Sequence, residues 1–249
     1  MLIWITGASA GFGAAMARQF VARGHRVLGI ARREARLQDL QRELGAAFLP
    51  LAVDVGDADA LEKALASLPE AWRAPDVLVN NAGLARGMTP AHESSLADWE
   101  EMVQTNILGL LRITRLVLPG MVARNRGHIV NLGSTAGNWP YFGGNVYGAS
   151  KAFVKQFSQN LRADLAGTKV RVSNVEPGLC GGTEFSEVRF HGDADKAAAV
   201  YANVESLSAE DIAETVVWIA ERPPHVNINR IEIMPVAQSF AGLSVAREG

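Results

Sequence analysis

Tyr147 and Lys151 lie four residues apart in a run of helical character, which puts a phenol and an ammonium on one helix face, one turn from each other. An isolated phenol titrates at about pH 10, so it needs a fixed positive charge beside it to act as a base at neutral pH. Ser134 stands thirteen residues upstream of the tyrosine. Near the N-terminus, Thr6-Gly7-Ala8-Ser9-Ala10-Gly11-Phe12-Gly13 follows a strand-like run and opens a helical one. Gly7 permits a tight turn there, Gly11 lets phosphates approach the backbone, and Gly13 lets helix and strand lie close. The helix N-terminus then faces a pyrophosphate with free N–H groups and the positive end of its dipole. A phosphate cradle and an activated phenol together are the equipment of an oxidoreductase.

The glycines are spaced G-x-x-x-G-x-G, unlike the G-x-G-x-x-G of the common dinucleotide fingerprint. The same residues also fit G-x-S-x-G, the strand–turn–helix elbow of serine hydrolases, with Ser9 as nucleophile. Against that rival, only six residues precede the motif, where a hydrolase needs an oxyanion-hole loop. His25, His92, His128, His191 and His225 also sit in no recognisable triad context.

About 20 positions beyond the glycines, a NAD site places an acidic residue on the ribose 2′-hydroxyl. This chain has Arg32 and Arg33 at the end of its second strand instead, and two guanidiniums suit a 2′-phosphate by charge and by planar donor geometry. NADP is therefore the expected cofactor. Asn80-Asn81-Ala82-Gly83 ends the fourth strand, at the edge where doubly wound sheets bind ligands, and lets the backbone lie against a ribose. Asn106 falls in the middle of a long helical pattern that it disfavours, which fits a site that bends the helix toward Lys151.

These groups need a frame that brings them to one edge. The chain alternates Val/Ile/Leu-rich runs with helical patterns: strands over 2–6, 26–31, 48–53, 77–80, 128–132, 170–175 and 228–233, and helices over 11–23, 33–44, 58–67, 96–122, 146–165 and 209–220. Continuous apolar strands are those covered on both faces. Their alternation with helices predicts one α/β domain with a doubly wound, seven-stranded, mostly parallel sheet over residues 1–249. The stretch 179–208, rich in Gly, Asp, Glu and Ala, is long for a plain connection and reads as a lid. Residues 234–243 are apolar enough to cover a pocket or meet a neighbour.

A net charge of -2 leaves no footprint for nucleic acid or an anionic membrane surface. No apolar run approaches the ~18 residues that span a bilayer. The single cysteine, Cys180, forms no internal disulfide and favours a cytoplasmic location. The histidines show no metal-ligand spacing, so no metal is expected. Trp72, Trp99 and Trp218 read as core or subunit-contact residues, and Trp139 and Tyr141 as pocket lining or core.

Taken in order, T-G-x-x-x-G-x-G, N-N-A-G, the mid-helix Asn106, Ser134, and the Y-x-x-x-K of Tyr147 and Lys151 resemble the short-chain dehydrogenase/reductase family along the whole chain. Arg32-Arg33, Trp139-Pro140-Tyr141, Glu176-Pro177-Gly178 and Gly181-Gly182-Thr183 are similar to its NADP-dependent 3-hydroxy acid dehydrogenases. The resemblance implies a Rossmann-type fold and a homotetramer. It also implies reversible hydride transfer between NADP and the 3-hydroxyl carbon of small 3-hydroxy acids such as serine, L-allo-threonine and 3-hydroxypropionate. The alternatives are an NADP-dependent reductase of other carbonyls (ketones, diketones, 3-oxoacyl groups) and, more remotely, a dinucleotide-binding protein without catalysis.

By the same resemblance Tyr147 is the general acid/base and Ser134 the partner of the substrate oxygen. Lys151 lowers the Tyr147 pKa and binds the nicotinamide ribose, and Asn106 holds a water that links Lys151 to solvent. Asp54 and Val55 fall to the adenine pocket, Pro177 and Gly178 to the nicotinamide. Thr183 falls to the carboxamide, one residue beyond the family spacing. No motif assigns the substrate carboxylate; Arg189 in the lid is the candidate clamp, with Arg86 as the second. Glu176, ahead of the proline, has no account at this level.

Overall fold

Strands that are apolar on both faces are stable only between two layers of helices, and that is where the chain places them. The computed structural model describes residues 1–240. β1 (Leu2–Thr6), β2 (Arg26–Ala31), β3 (Phe48–Ala52), β4 (Val77–Asn80), β5 (Gly127–Leu132), β6 (Val170–Pro177) and β7 (Arg230–Ile233) form one seven-stranded sheet in the order β3-β2-β1-β4-β5-β6-β7. Every neighbouring pair is parallel, so the sheet is wholly rather than mostly parallel. The chain runs outward from β1 to β3, returns to set β4 beside β1, and then runs to the other edge. The strand order therefore reverses between β1 and β4, where a crevice opens at the strands' C-terminal ends.

Alternate residues of each strand feed two cores. Ile3 and Ile5 of β1 pack with Met16 and Phe20 of α1 (Gly11–Ala22), Leu37 of α2 (Glu34–Leu44) and Ile212 and Val216 far along the chain. Leu2 and Trp4 pack instead with Leu61 of α3 (Ala58–Ala66), Ile113 and Leu161 on the opposite face. Each fully buried aliphatic side chain contributes roughly 1.5–3 kcal/mol, which makes the strand register hard to slip.

The helix expected over 96–122 is broken. α4 (Leu96–Val103) passes through a π-turn at Gln104–Gly109 into α5 (Leu110–Ala123). The cause is Asn106, which is buried and must find partners. Its Oδ1 accepts the Leu84 N–H at 2.9 Å, and its Nδ2 donates to the Leu84 carbonyl at 2.9 Å and to Ser150 Oγ at 3.1 Å. A widened turn aims the amide at that loop. By length and composition Leu96–Ala123 is apolar enough to cross a membrane, which corrects the reading that no such run exists. Its Ile113, Val117 and Met121 are buried against the sheet.

α6 (Asn145–Asp164) follows β5, and β6 runs two residues past its expected end because Glu176 and Pro177 pair with Glu232 and Ile233 of β7. The stretch 179–208 contains two short helices, α7 (Phe185–Arg189) and α8 (Ala194–Ala199). It leads into α9 (Ala209–Ala220), which starts with a Ser208–Asp211 capping box.

Candidate active site

The crevice opens into a cavity of about 620 Å³. Gly7, Ser9, Gly11, Phe12, Arg32, Arg33, Asp54, Val55, Asn81, Ala82, Gly83, Ser134, Tyr147, Lys151, Pro177, Gly178, Thr183 and Arg189 all line it. Of the predicted residues, Gly13, Asn106 and the second clamp candidate Arg86 do not. Gly13 lies behind the turn, where an added Cβ would stand 2.2 Å from the Gly7 carbonyl oxygen. Both amide protons of Asn106 are already committed, to Leu84 and Ser150. What it holds is the loop beyond Gly83, whose added Cβ would lie 3.2 Å from Asn106 Oδ1 and 3.4 Å from Lys151 Nζ.

At the phosphate end, Gly7 and Gly11 take φ of 68° and 49°, which favour glycine. Asn81 Nδ2 donates to the Thr6 carbonyl at 2.8 Å, while Thr6 Oγ1 accepts the N–H groups of Asn81 and Ala82 at 3.0 and 2.9 Å, so the ends of β1 and β4 are locked together. α1 begins with no side-chain cap and no acidic residue in its first turn. Its free N–H groups and the bare glycine turn fit a pyrophosphate. Thr183 lies across from Gly11, within 3.4 Å of where a Cβ would stand.

Arg33 donates from Nε to Ser9 Oγ at 3.2 Å and from Nη1 to Glu184 at 2.6 Å. Arg36 holds the other oxygen of Glu184 at 2.6 Å, and Arg32 stands 3.7 Å from Asp54. Three guanidiniums against two carboxylates leave a positive surplus that suits a further phosphate. Glu184, held below the usual carboxylate range by Arg33 and Arg36, was not foreseen. No sequence signal marks it, because its partner Arg33 lies 151 residues away. The hydrolase alternative fails here: Ser9 meets a guanidinium, which takes up no proton, and none of the five histidines lines the cavity.

At the reacting end, α6 presents Tyr147 and Lys151, both buried. Lys151 Nζ donates to the Leu132 carbonyl at 2.8 Å and stands 5.8 Å from the Tyr147 ring centroid. Burial pushes its pKa down to about 8. Burial also pushes Tyr147 up to about 12; the Ser134 hydroxyl and Arg189 draw it back, while Tyr141 and Cys180 raise it further. The Lys151 ammonium is turned to a backbone carbonyl, and the groups that shift Tyr147 are its burial, Ser134, Tyr141, Arg189 and Cys180.

Ser134 Oγ accepts the Ala136 N–H at 3.1 Å and donates to the Pro177 carbonyl at 3.4 Å, which sets it at the mouth of the strands. Arg189 lies 5.4 Å from the Tyr141 ring centroid and 5.8 Å from that of Tyr147, and donates to Tyr141 Oη at 2.8 Å. Arg86 is excluded as a clamp. It forks onto Glu101 at 2.8 and 3.1 Å, donates to the Val188 carbonyl at 2.7 Å, and is absent from the cavity wall. Trp139 and Phe240 form a tilted pair 4.4 Å apart on the far wall. Trp218 is exposed beneath Arg222, whereas Trp72 and Trp99 pack against core clusters. The Cys180 thiol, pushed up to about 12 by burial, is inert. Among the described residues, no group of three His, Cys, Asp or Glu side chains is placed to hold a metal.

A family model described as short chain dehydrogenase matches residues 1–194. The chain is 61% identical over 247 residues to the NADP-dependent 3-hydroxy acid dehydrogenase YdfG of Salmonella typhi, covering 99% of this chain and 100% of that one. It is 53% identical over 246 residues to the serine 3-dehydrogenase of Agrobacterium fabrum, covering 99% and 98% respectively. A solved closed form of serine dehydrogenase complexed with NADP+ matches with a TM-score of 0.98 at 58% identity, over 100% of both chains.

Proposed function

Because this chain belongs to the short-chain dehydrogenase family, we propose that it moves hydride reversibly between NADP and the 3-hydroxyl carbon of small 3-hydroxy acids. Serine, L-allo-threonine and 3-hydroxypropionate, the alcohol of malonic semialdehyde, are the substrate type. The observation that carries the choice of substrate is Arg189, a guanidinium held 5.8 Å from the Tyr147 ring. A fixed cation over the Tyr147 ring suits a substrate that carries a carboxylate near its hydroxyl.

Gly7, Gly11 and the start of α1 would hold the pyrophosphate, Arg32 and Arg33 the 2′-phosphate, Asp54 and Val55 the adenine. Asn81, Ala82, Gly83 and Lys151 would line the riboses, and Pro177, Gly178 and Thr183 the nicotinamide, which supplies or accepts hydride when bound. In the oxidation direction, Tyr147 as phenolate takes the substrate hydroxyl proton. In the reduction direction its phenol returns that proton to the carbonyl oxygen, with Ser134 donating to the same oxygen. The stretch 179–208 closes over the site as a lid, carrying Arg189 with it.

Exposed Leu96, Val103, Leu116 and Val122 on α4 and α5 support a homotetramer, and the lone buried Cys180 supports a cytoplasmic location. A second reading, reduction of bulkier uncharged carbonyls, draws on the aromatic Trp139–Phe240 wall. Steady-state rates with serine, L-allo-threonine, 3-hydroxypropionate and 1-propanol, each with NADP and NAD, separate the two. Higher kcat/KM for the acids with NADP is the expected outcome; equal rates with 1-propanol would overturn it.

A further inference from the structure

Behind Ser134 lies a part-buried polar network, centred on the buried Glu176, that neither the cofactor nor the substrate reading uses. Asn131, Asn174 and Arg230 are register partners across β5, β6 and β7, and two residues further along, Glu176 partners Glu232. Glu176 is 1% exposed. Its Oε2 accepts from Arg230 Nε and from Asn138 Nδ2, both at 2.6 Å, and its Oε1 accepts from Asn174 Nδ2 at 2.6 Å. Glu232 Oε2 accepts from Asn138 Nδ2 at 2.6 Å, Trp139 Nε1 at 3.2 Å and Arg230 Nη2 at 3.2 Å. Gly133 leaves the room: a Cβ there would lie 2.8 Å from Asn174 Oδ1.

Asn138 is the hub, because its other amide atom, Oδ1, accepts from Lys155 Nζ at 2.9 Å. Lys155 follows Tyr147 and Lys151 at successive four-residue steps along α6, and so shares their face. Burying charges costs desolvation that pairing only partly offsets, so a network of this kind is a weak source of stability. It does, however, end on the reacting groups. Asn138 closes the single 3₁₀ turn that starts at Ser134: its N–H donates to the Thr135 carbonyl at 2.9 Å, and the Gly137 N–H donates to the Ser134 carbonyl at 3.0 Å. So short a turn has little rigidity of its own.

We propose that Asn138, gripped by Glu176 and Glu232 on one side and by Lys155 of α6 on the other, is a positioning residue that fixes the Ser134 hydroxyl relative to Tyr147. The proposal rests on the assignment of Ser134 and Tyr147 to proton transfer. Glu176→Gln strips Arg230 of its buried partner and loses stability, so the milder Asn138→Ala carries the test.

Asn138→Ala should lower kcat by on the order of 10–100-fold while the NADPH Kd, read by nicotinamide fluorescence, stays within about 2-fold, as for a misplaced rather than missing group. The ascending limb of the oxidation profile should move to higher pH, since Ser134 draws the Tyr147 pKa down. Asn138→Asp, equal in shape but acceptor-only toward two carboxylates, should fall at least as far. Adding Glu232→Gln to it restores a donor–acceptor pair and should recover part of the loss. Unchanged kcat and pH profile with only a lowered Tm, or no recovery in the double variant, would overturn the proposal. An intact rate in Ser134→Ala would instead overturn the proton-transfer assignment, and the proposal with it.

Discussion

Replacing Lys151 by Met should make the cofactor-free protein more stable at pH 7 while removing its turnover. The side chain is 7% exposed and its Nζ has one hydrogen-bond acceptor, the Leu132 carbonyl at 2.8 Å. Burial alone takes its pKa from 10.5 to about 8. At roughly 1.4 kcal/mol per pH unit, the charged form is destabilised by about 3 kcal/mol relative to the unfolded chain. Methionine, of similar length and uncharged, removes that cost and forgoes one hydrogen bond worth about 1 kcal/mol. The net gain of about 2 kcal/mol corresponds to a Tm rise of roughly 4–8 °C for a chain of this size. Because the folded pKa is depressed, the unfolded chain holds more protons between about pH 8 and pH 10.5, so the wild-type protein gains stability as pH rises through that window. The advantage of the variant should therefore fade and vanish by roughly pH 10. Calorimetric melting of both proteins without cofactor at pH 7 and pH 10 measures this. A variant that melts at or below the wild type at pH 7, or a gap that stays constant with pH, would refute the reasoning.

Tyr147→Phe should abolish turnover yet leave NADPH affinity largely intact, and retention of more than about a tenth of kcat would exclude Tyr147 as the acid/base. With the phenol pushed up to about 12 by burial, the wild-type oxidation rate should climb with pH while the reduction rate falls; steady-state profiles in both directions check the opposed slopes. Arg32→Asp with Arg33→Ala should cut the NADP preference by about 10- to 150-fold, equivalent to roughly 1.5–3 kcal/mol for a charged hydrogen bond; the ratio of kcat/KM for NADP and NAD reports it. Arg189→Met should raise KM for 3-hydroxy acids and spare 1-propanol, and a parallel loss on both would remove Arg189 from the substrate site.

Tyr147 with Lys151, the Gly7–Gly13 turn, the Arg32–Arg33 pair and the Asn80–Gly83 strand end were all legible in the sequence. Each is a short-range arrangement in which residue type and spacing alone set which groups share a helix face or a turn. The strand pattern likewise foretold a doubly wound sheet, since only strands covered on both faces read as continuous apolar runs. The break in the 96–122 helix was not legible as a π-turn, because the Leu84 backbone that captures Asn106 lies 22 residues away. Glu176 had no account until β7 set Arg230 against it from 54 residues on, and Glu184 none until the lid met Arg33. The proton affinities diverged furthest from local reasoning: adjacency of Tyr147 and Lys151 suggested an activated phenol, whereas burial raises the one and lowers the other. Residue type and local spacing determine which groups are available to react. Their neighbours and charge states depend on desolvation and on contacts between distant strands, which exist only once the chain has packed.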